Sequence, residues 1–369
     1  MHKNKTKIYF ESLMKVNKKN YSSIWEEDGT VKIIDQTKLP FKFEVIQLKN
    51  LKDFIDAIKK MKVRGAPLIG VSAAYALAVL TNKNTSDKYL RNIYNSLIKT
   101  RPTAVNLKWA LNFCLKKIKK GKQSERKNIA FSVARTIRNN DIINSKKIAF
   151  NGYKIIEKIY RKKKKAINIL THCNAGWLAT VDWGTALAPI FLANRNKIPI
   201  HIWVDETRPR NQGALLTAWE LKNEDVPYTI ITDNAGGHLM SNGEVDLCIV
   251  GSDRITRNGD VCNKIGTYLK ALASKAHNIP FYVAAPTSTI DLSINKGEEV
   301  PIEIRSGTEL SRIKIKKGGS VLEGDAYFPQ SKTFNPAFDV TPSKLVSKII
   351  TEFGTIDCNR KSIDKLMTK

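Results

Sequence analysis

The chain is short of acid. Among its 369 residues, 34 Asp and Glu stand against 62 Lys and Arg, a formal net charge of +28. It is also short of cysteine, with five at positions 114, 173, 248, 262 and 358 and no two in a CxxC spacing. An odd, scattered set gives no disulfide framework and fits reduced thiols of the cytoplasm. Cys248 and Cys262 have no companion pair at ligand spacing, so no metal is expected. Long apolar runs are lacking too. The longest, Ala66 to Leu80, is broken by Pro67, Ser72 and Tyr75. It is too short to span a bilayer and reads as a buried helix. The N-terminus is polar and basic and has no apolar signal core, so a cytoplasmic protein without a membrane partner is expected. Neither a GxGxxG fingerprint nor a Walker phosphate loop occurs, which disfavours dinucleotides and nucleoside triphosphates. Internal repeats and low-complexity linkers are absent.

The excess of positive charge raises nucleic acid as a partner. Its distribution argues against this. Residues 201–300 hold nine basic and thirteen acidic side chains. The surplus lies in the N-terminal tail, in Lys116 to Lys127 and in the run Arg161 to Lys165. No reading helix or aromatic platform accompanies it, so a solvated lysine-rich surface with no specific nucleic-acid partner is expected.

Two halves differ in pattern. Residues 1–20 read as a flexible tail. Short strands are predicted over 31–35 and 43–48, around Pro40. Helices are predicted over 51–62, from the Arg64-Gly65 turn to Leu80, over 87–99, and over 104–119 with Thr103 as a cap. One or two more fill 124–160, with a break near Asn140. This gives a mainly helical N-terminal domain over 21–150. From 151 to 369 short apolar strands alternate with helices. Strands are predicted over 166–171, 198–204, 228–232, 247–250 and 281–285. Helices are predicted over 176–192, 213–222, around His238 and over 264–277. That alternation marks an α/β fold with a parallel sheet and crossovers. In such sheets ligands bind beyond the carboxyl ends of the strands.

The polar clusters fall at those ends. The first is Thr171-His172-Cys173-Asn174-Ala175-Gly176. A cysteine between a strand and a following helix can feel the helix N-terminus, which favours a thiolate. The alternative is a buried small hydrophobe. The second, Asp205 to Gly213, crowds hydrogen-bonding groups before a helix, as a ligand-gripping loop or a solvated cap. The third, Asp233 to His238, contains two glycines that permit close backbone approach, with His238 more readily structural than catalytic. The fourth runs through Gly251-Ser252-Asp253-Arg254 to Asn263-Lys264-Ile265-Gly266. Asp253 follows a wholly apolar strand, where partial desolvation suits a general acid; the bland alternative is pairing with Arg254. Lys264 is read as the start of a helix. The dipole disfavours a cation there, so an anionic ligand such as phosphate would explain it. Arg64 and Arg101 precede helix starts in the other half and have the reach to cross a cleft toward that phosphate, or simply to face solvent.

Taken in order, Val63 to Pro67, Arg101 to Leu107, Thr171 to Gly176, Val204 to Arg210 with Gln212-Gly213, Gly251 to Arg254, Asn258 to Asp260 with Asn263 to Thr267, and Asn335 to Pro342 resemble the signatures of the methylthioribose-1-phosphate isomerase family. They span roughly residues 30 to 354. The resemblance implies a Rossmann-like parallel-sheet C-terminal domain beside a smaller, mainly helical N-terminal domain, in a homodimer. It implies conversion of S-methyl-5-thioribose 1-phosphate to S-methyl-5-thioribulose 1-phosphate in methionine salvage, with no cofactor. Cys173 and Asp253 match the catalytic pair. Arg64, Gly65, Ala66, Arg101, Gln212, Asn263 and Lys264 match the substrate contacts. The superfamily offers two alternatives. One is an isomerase of 5-deoxyribose 1-phosphate or ribose 1,5-bisphosphate. The other is a non-catalytic translation-factor-like regulatory subunit, whose kind generally lacks the Cys–Asp pair. Val181-Asp182-Trp183, Gly236-Gly237, Ser252 and Cys262 depart from the family pattern and are expected to adjust the pocket for the 5-substituent.

Overall fold

The computed structural model describes residues 14–101, 104–328 and 330–368. Thr103, expected as a cap, and the first part of the expected tail lie outside them. The rest of that tail is ordered: β1 (Met14–Val16) and β2 (Lys19–Tyr21) form a hairpin. Distant groups hold it, because Met14 N donates to Asp182 Oδ1 at 3.2 Å and Lys15 N to Glu224 Oε1 at 2.7 Å. No local pattern announces contacts of that range. β3 (Ile24–Glu27), β4 (Thr30–Ile34) and β5 (Val45–Leu48) follow as an antiparallel sheet.

Five helices complete this half: α1 (Leu51–Lys59), α2 (Ala66–Thr81), α3 (Asp87–Ile98), α4 (Val105–Lys120) and α5 (Arg126–Lys163). α2 is apolar on nearly every face and therefore lies in the middle, with Leu68, Ala73, Ala76 and Leu77 fully buried. α5 is one helix of 38 residues and does not break at Asn140. Its first half packs Ala130, Ala134 and Ile137 into the helical core. Its second half packs Ile148, Tyr153 and Ile156 against Ile169, Trp177 and Trp183 in another core. Burial on both sides overrides the poor helix propensity of the adjoining asparagines.

The second half is built on β6 (Ile167–Thr171), β7 (Ile200–Asp205), β8 (Tyr228–Ile231), β9 (Leu247–Val250), β12 (Phe281–Ala284), β17 (Lys348–Thr351) and β18 (Gly354–Ile356). Their order is β18-β17-β12-β9-β6-β7-β8, parallel except for edge strand β18. Leaving β18 aside, this is the Rossmann order, with a topological switch point between β6 and β9. A four-stranded sheet leans on it, built from β10 (Arg254–Thr256), β11 (Val261–Lys264), β13 (Ile290–Asp291) and β16 (Phe338–Thr341). β14 (Arg312–Lys317) and β15 (Ser320–Asp325) form an exposed hairpin. The crossovers include α6 (Ala188–Arg195), α7 (Ala218–Asn223), α8 (Ala235–Ser241) and α9 (Thr267–Ala276), followed by α10 (Thr308–Ser311) and α11 (Arg360–Met367).

Two predicted helices are shorter than expected. Residues 176–192 form only a 3-10 turn at Trp177–Ala179 before α6. Thr180 Oγ1 bonds the carbonyl of Asp182 and receives Gly184 N, and Gly184 sits at φ +88°, so side chain and backbone compete with the helix. Lys264 does not begin a helix. It ends β11, and α9 starts only after Gly266, whose φ is +101°. Residues 213–217 form a π-helical turn ahead of α7, a widening common at functional sites.

Candidate active site

β6 and β9 are neighbours, so the segments leaving their carboxyl ends meet at the switch point. Cys173 follows β6 and Asp253 follows β9, and both line one cleft. Cys173 sits at φ +66°, in a loop held on both sides. Its N–H donates to Thr207 Oγ1 at 2.8 Å, and its carbonyl accepts from Thr217 Oγ1 at 2.7 Å. Thr217 belongs to the π-helical turn, which gives that widened turn a purpose. No long helix starts directly after Cys173, so the expected dipole is missing. The nearest cation is a guanidinium, with Arg64 Nη2 3.7 Å from Cys173 Sγ. Arg254, the alternative partner of Asp253, pairs with Asp291 at 3.6 Å.

The other wall is built from helix starts. Gly65 caps α2 at φ +87°, and a Cβ on it would lie 2.4 Å from the carbonyl oxygen of Ala179. That near-contact of two backbones brings Arg64 and Ala66 to the strand ends. Arg64 Nη1 donates to Asn174 Oδ1 at 2.6 Å. Arg101 also lines the cleft. The structure thus brings Arg64, Gly65, Ala66, Arg101, Cys173, Gln212, Asp253, Asn263 and Lys264 together around one space.

Lys264 Nζ donates to Ala337 O at 2.7 Å and lies 4.6 Å from the Phe338 ring centre. Burial first, and the neighbouring Arg305 charge second, push its pKa down to about 8. Asn263 donates to Thr267 Oγ1 at 3.0 Å. Gln212 is buried, and its Oε1 has no hydrogen-bond partner among the described residues. An amide oxygen held dry beside a cleft is suited to a ligand hydroxyl. Sequence reasoning missed Asn174, Arg305 and Phe338 as cleft-lining groups. Asn174 lies in a motif already singled out. Arg305 carried no signal of its own.

Among the other candidates, His172 and Ser252 also line the cleft, whereas His238, Arg208, Arg210, Asp205 and Asp233 do not. His238 is exposed and bonds Asn242. Arg208 donates to Leu310 O at 2.7 Å and Arg210 to Glu309 at 2.8 Å, so this loop ties down α10. His172, Asp205 and Asp233 cluster at metal-like spacing. Lys270 Nζ lies 3.0 Å from Asp205 Oδ2 and bonds the Asp233 backbone carbonyl, while the Asp233 carboxylate already accepts from the Thr207 and Arg208 N–H groups. Val181 and Trp183 are buried in the two cores, and Asp182 anchors Met14, so this departure fastens the N-terminal hairpin and does not line the cleft. Among the described residues no helix is long and apolar enough to cross a membrane.

A thiol and a carboxyl at the switch point of a Rossmann-like sheet, faced by clustered cations, define an α/β enzyme site for a small anion. Comparison with known proteins gives the particular family. The model of the Initiation factor 2 subunit family matches residues 62–358. A methylthioribose-1-phosphate isomerase of Paramagnetospirillum magneticum is 52% identical over 357 residues, covering 96% of this chain and 99% of the relative. One from Escherichia coli O45:K1 is 51% identical over 355 residues, covering 95% of each. The crystal structure of 5-methylthioribose 1-phosphate isomerase from Pyrococcus horikoshii superposes with a TM-score of 0.82 at 36% identity, covering 95% of this chain and 96% of that one. A structure from A. fulgidus titled translation initiation factor eIF-2B, subunit delta, gives 0.79 at 38% identity, covering 95% and 100%. The chain belongs to the Initiation factor 2 subunit family, among its methylthioribose-1-phosphate isomerases.

Proposed function

We infer that the chain is an aldose–ketose isomerase converting S-methyl-5-thioribose 1-phosphate to S-methyl-5-thioribulose 1-phosphate, a step of methionine salvage. The observation that carries this reading is the single cleft in which Cys173 and Asp253 face Arg64, Arg101 and Lys264. Phosphate on the anomeric oxygen blocks simple hemiacetal opening. The ring therefore opens with a proton delivered to the ring oxygen, and Asp253 is the acid for that proton. Hydrogen then passes from C2 to C1 beside Cys173, which acts as base in an enediol route or stabilises charge in a hydride route, and the C2 hydroxyl proton returns to the Asp253 carboxylate as the ketone forms. Arg64, Arg101 and Lys264 hold the phosphate, Asn263 and Gln212 orient oxygens of the sugar phosphate, and Gly65 and Ala66 let the backbone approach the ligand.

The methylthio end has room. An adjoining cavity of about 500 Å³ shares Met61, Arg64 and Gln212 with the cleft and carries the apolar side chains Leu39, Phe41, Leu215 and Leu216. Three cations in its wall are each faced by an acid: Arg210 pairs with Glu309 at 2.8 Å, Arg312 lies 3.8 Å from Asp325, and Lys314 stands opposite Glu323 in the β14–β15 register. This favours an uncharged 5-substituent over the second phosphate of ribose 1,5-bisphosphate. We further propose a homodimer working in the cytoplasm, each subunit having a mainly helical domain up to about residue 150 and a catalytic domain beyond it.

Ketose formation from a panel of phosphorylated pentoses, followed by NMR, tests the assignment. Turnover is expected on methylthioribose 1-phosphate, weaker turnover on 5-deoxyribose 1-phosphate and none on ribose 1,5-bisphosphate. Asp253→Asn is expected to lower kcat by about 100-fold or more, the scale of general-acid catalysis. Near-normal turnover by that variant would remove Asp253 from its role. No turnover on any sugar by the unmodified chain would favour a regulatory subunit.

A further inference from the structure

One guanidinium in the cleft is assigned to nothing so far. Arg305 lies far along the chain from the recognised motifs around the catalytic pair, yet its side chain is only 7% exposed and lines the same space as Arg64, Arg101 and Lys264. The backbone fixes it there. Arg305 N donates to Asn335 O at 2.9 Å and Ala337 N to Glu303 O at 2.9 Å, so residues 303–305 run antiparallel beside 335–337 and deliver Arg305 to Phe338. Its guanidinium lies 5.6 Å from the centre of the Phe338 ring, whose neighbourhood Lys264 Nζ shares at 4.6 Å. Two cations gathered at one ring repel each other, and the lowered pKa of Lys264 reports that repulsion on top of burial.

Buried cations need an anion. Glu303 provides one. Its carboxylate is bidentate to Arg305, at 3.1 Å from Nε and 3.2 Å from Nη2, and lies 3.9 Å from Arg101 Nη2. Glu309 is a more distant neighbour, 3.9 Å from Arg305 Nη1 and held by Arg210. Glu303 itself is one-third exposed, whereas the cations it serves are nearly buried. A phosphomonoester presents the same planar fork of two oxygens to a guanidinium, with more charge and a third oxygen for Lys264.

We propose that Arg305 is a phosphate-binding residue of this site, and that Glu303 is its resident counter-anion, swung aside when phosphate arrives. The proposal rests on the reading of the cleft as a sugar-phosphate site and adds to it a ligand and a competitor. The competitor gives it a signature that a merely structural ion pair lacks: the two partners act with opposite sign. Loss of Arg305 weakens phosphate binding, and neutralising Glu303 strengthens it.

The experiment uses the full chain, with inorganic phosphate titrated by calorimetry and KM measured for methylthioribose 1-phosphate. Charged hydrogen bonds of this kind correspond to roughly 10- to 100-fold in binding. Arg305→Met is expected to raise the phosphate Kd and the KM by about that factor. Glu303→Gln is expected to lower the phosphate Kd by about threefold or more, since it removes only a partly exposed competitor. Phosphate binding by Arg305→Met within twofold of the unmodified chain would overturn the assignment. A Glu303→Gln Kd unchanged or raised would overturn the displacement. If Arg305→Met does not fold, Glu303→Gln decides alone, with Arg305→Lys as a charged variant lacking the fork. Should the unmodified chain neither bind phosphate nor turn over the sugar, the reading of the site has failed. Should it do both while the variants fail to part in sign, the pairing of Arg305 with a displaceable Glu303 has failed and the reading of the site stands.

Discussion

The two walls of the cleft solve different problems. The strand-end wall puts Cys173 and Asp253 on loops leaving neighbouring parallel strands, so the backbone ladder itself sets their spacing. The helical wall supplies Arg64 and Arg101, whose positions depend on how one half of the molecule docks against the other. The first wall is precise because it is covalently close to a sheet. The second is precise only because Gly65 allows α2 to touch the Ala179 backbone and because Asn174 takes hold of Arg64. The thiol and the carboxyl thus sit on the wall with the shorter tolerance chain, while the cations come from both sides, Arg64 and Arg101 from the helical wall and Lys264 and Arg305 from the other.

That contrast can be broken at its hinge. Gly65→Ala adds a Cβ 2.4 Å from a carbonyl oxygen and 2.6 Å from Ala179 Cα, both backbone atoms that do not swing away. It also places a side chain at φ +87°. The helical wall must back off. A displacement of about 1 Å is enough to cost about 100-fold, so kcat/KM is expected to fall by that order while far-UV circular dichroism stays unchanged. A smaller break leaves the backbone alone. Asn174→Ala removes the acceptor for Arg64 Nη1 and the donor to Thr217. Arg64 stays in the cleft but is no longer aimed, and about a tenfold loss in kcat/KM, chiefly through KM, is expected in steady-state kinetics.

What could be read in advance follows the same division. The strand-end wall was legible because a short apolar run followed by polar residues has a general meaning in a parallel sheet. β6, β7, β9 and β12 lie within one or two residues of the predicted bounds. Arg64 and Arg101 were legible only as candidates until the family resemblance was added. Lys264 was found for the wrong local reason: it ends a strand and is buried against Ala337 and Phe338, which lead into β16 more than seventy residues away. The Met14–Tyr21 hairpin and Arg305 were not legible at all. Each is held by contacts across long sequence separations, which composition and periodicity do not encode.

The comparison sharpens furthest at a carboxyl behind the strand-end wall. Glu220 is fully buried; its Oε1 accepts from Leu178 N at 2.7 Å, while its Oε2 has no hydrogen-bond partner among the described residues. Burial is the leading cause that pushes its pKa up to about 8 from 4.5, with the Leu178 N–H bond and the neighbouring Asn174 amide opposing. In the unfolded chain the group ionises near pH 4.5; in the folded protein it stays protonated until about pH 8. Its protonated form therefore supports the fold fully below pH 4.5, and that support drains away as pH rises toward 8. Each unit of difference is worth about 1.4 kcal/mol, so the total is on the order of a few kcal/mol. Glu220→Gln keeps an acceptor for Leu178 and cannot ionise. Urea denaturation is expected to show the variant within about 1 kcal/mol of the unmodified chain at pH 4.5 and more stable than it by a few kcal/mol at pH 8.5, with kcat/KM changed less than by Asn174→Ala. Parallel stability curves for the two proteins between those pH values would mean that Glu220 is ionised in the fold. The strand-end wall would then rest on a buried charge instead of a neutral carboxyl, and its precision would depend on pH in the opposite sense.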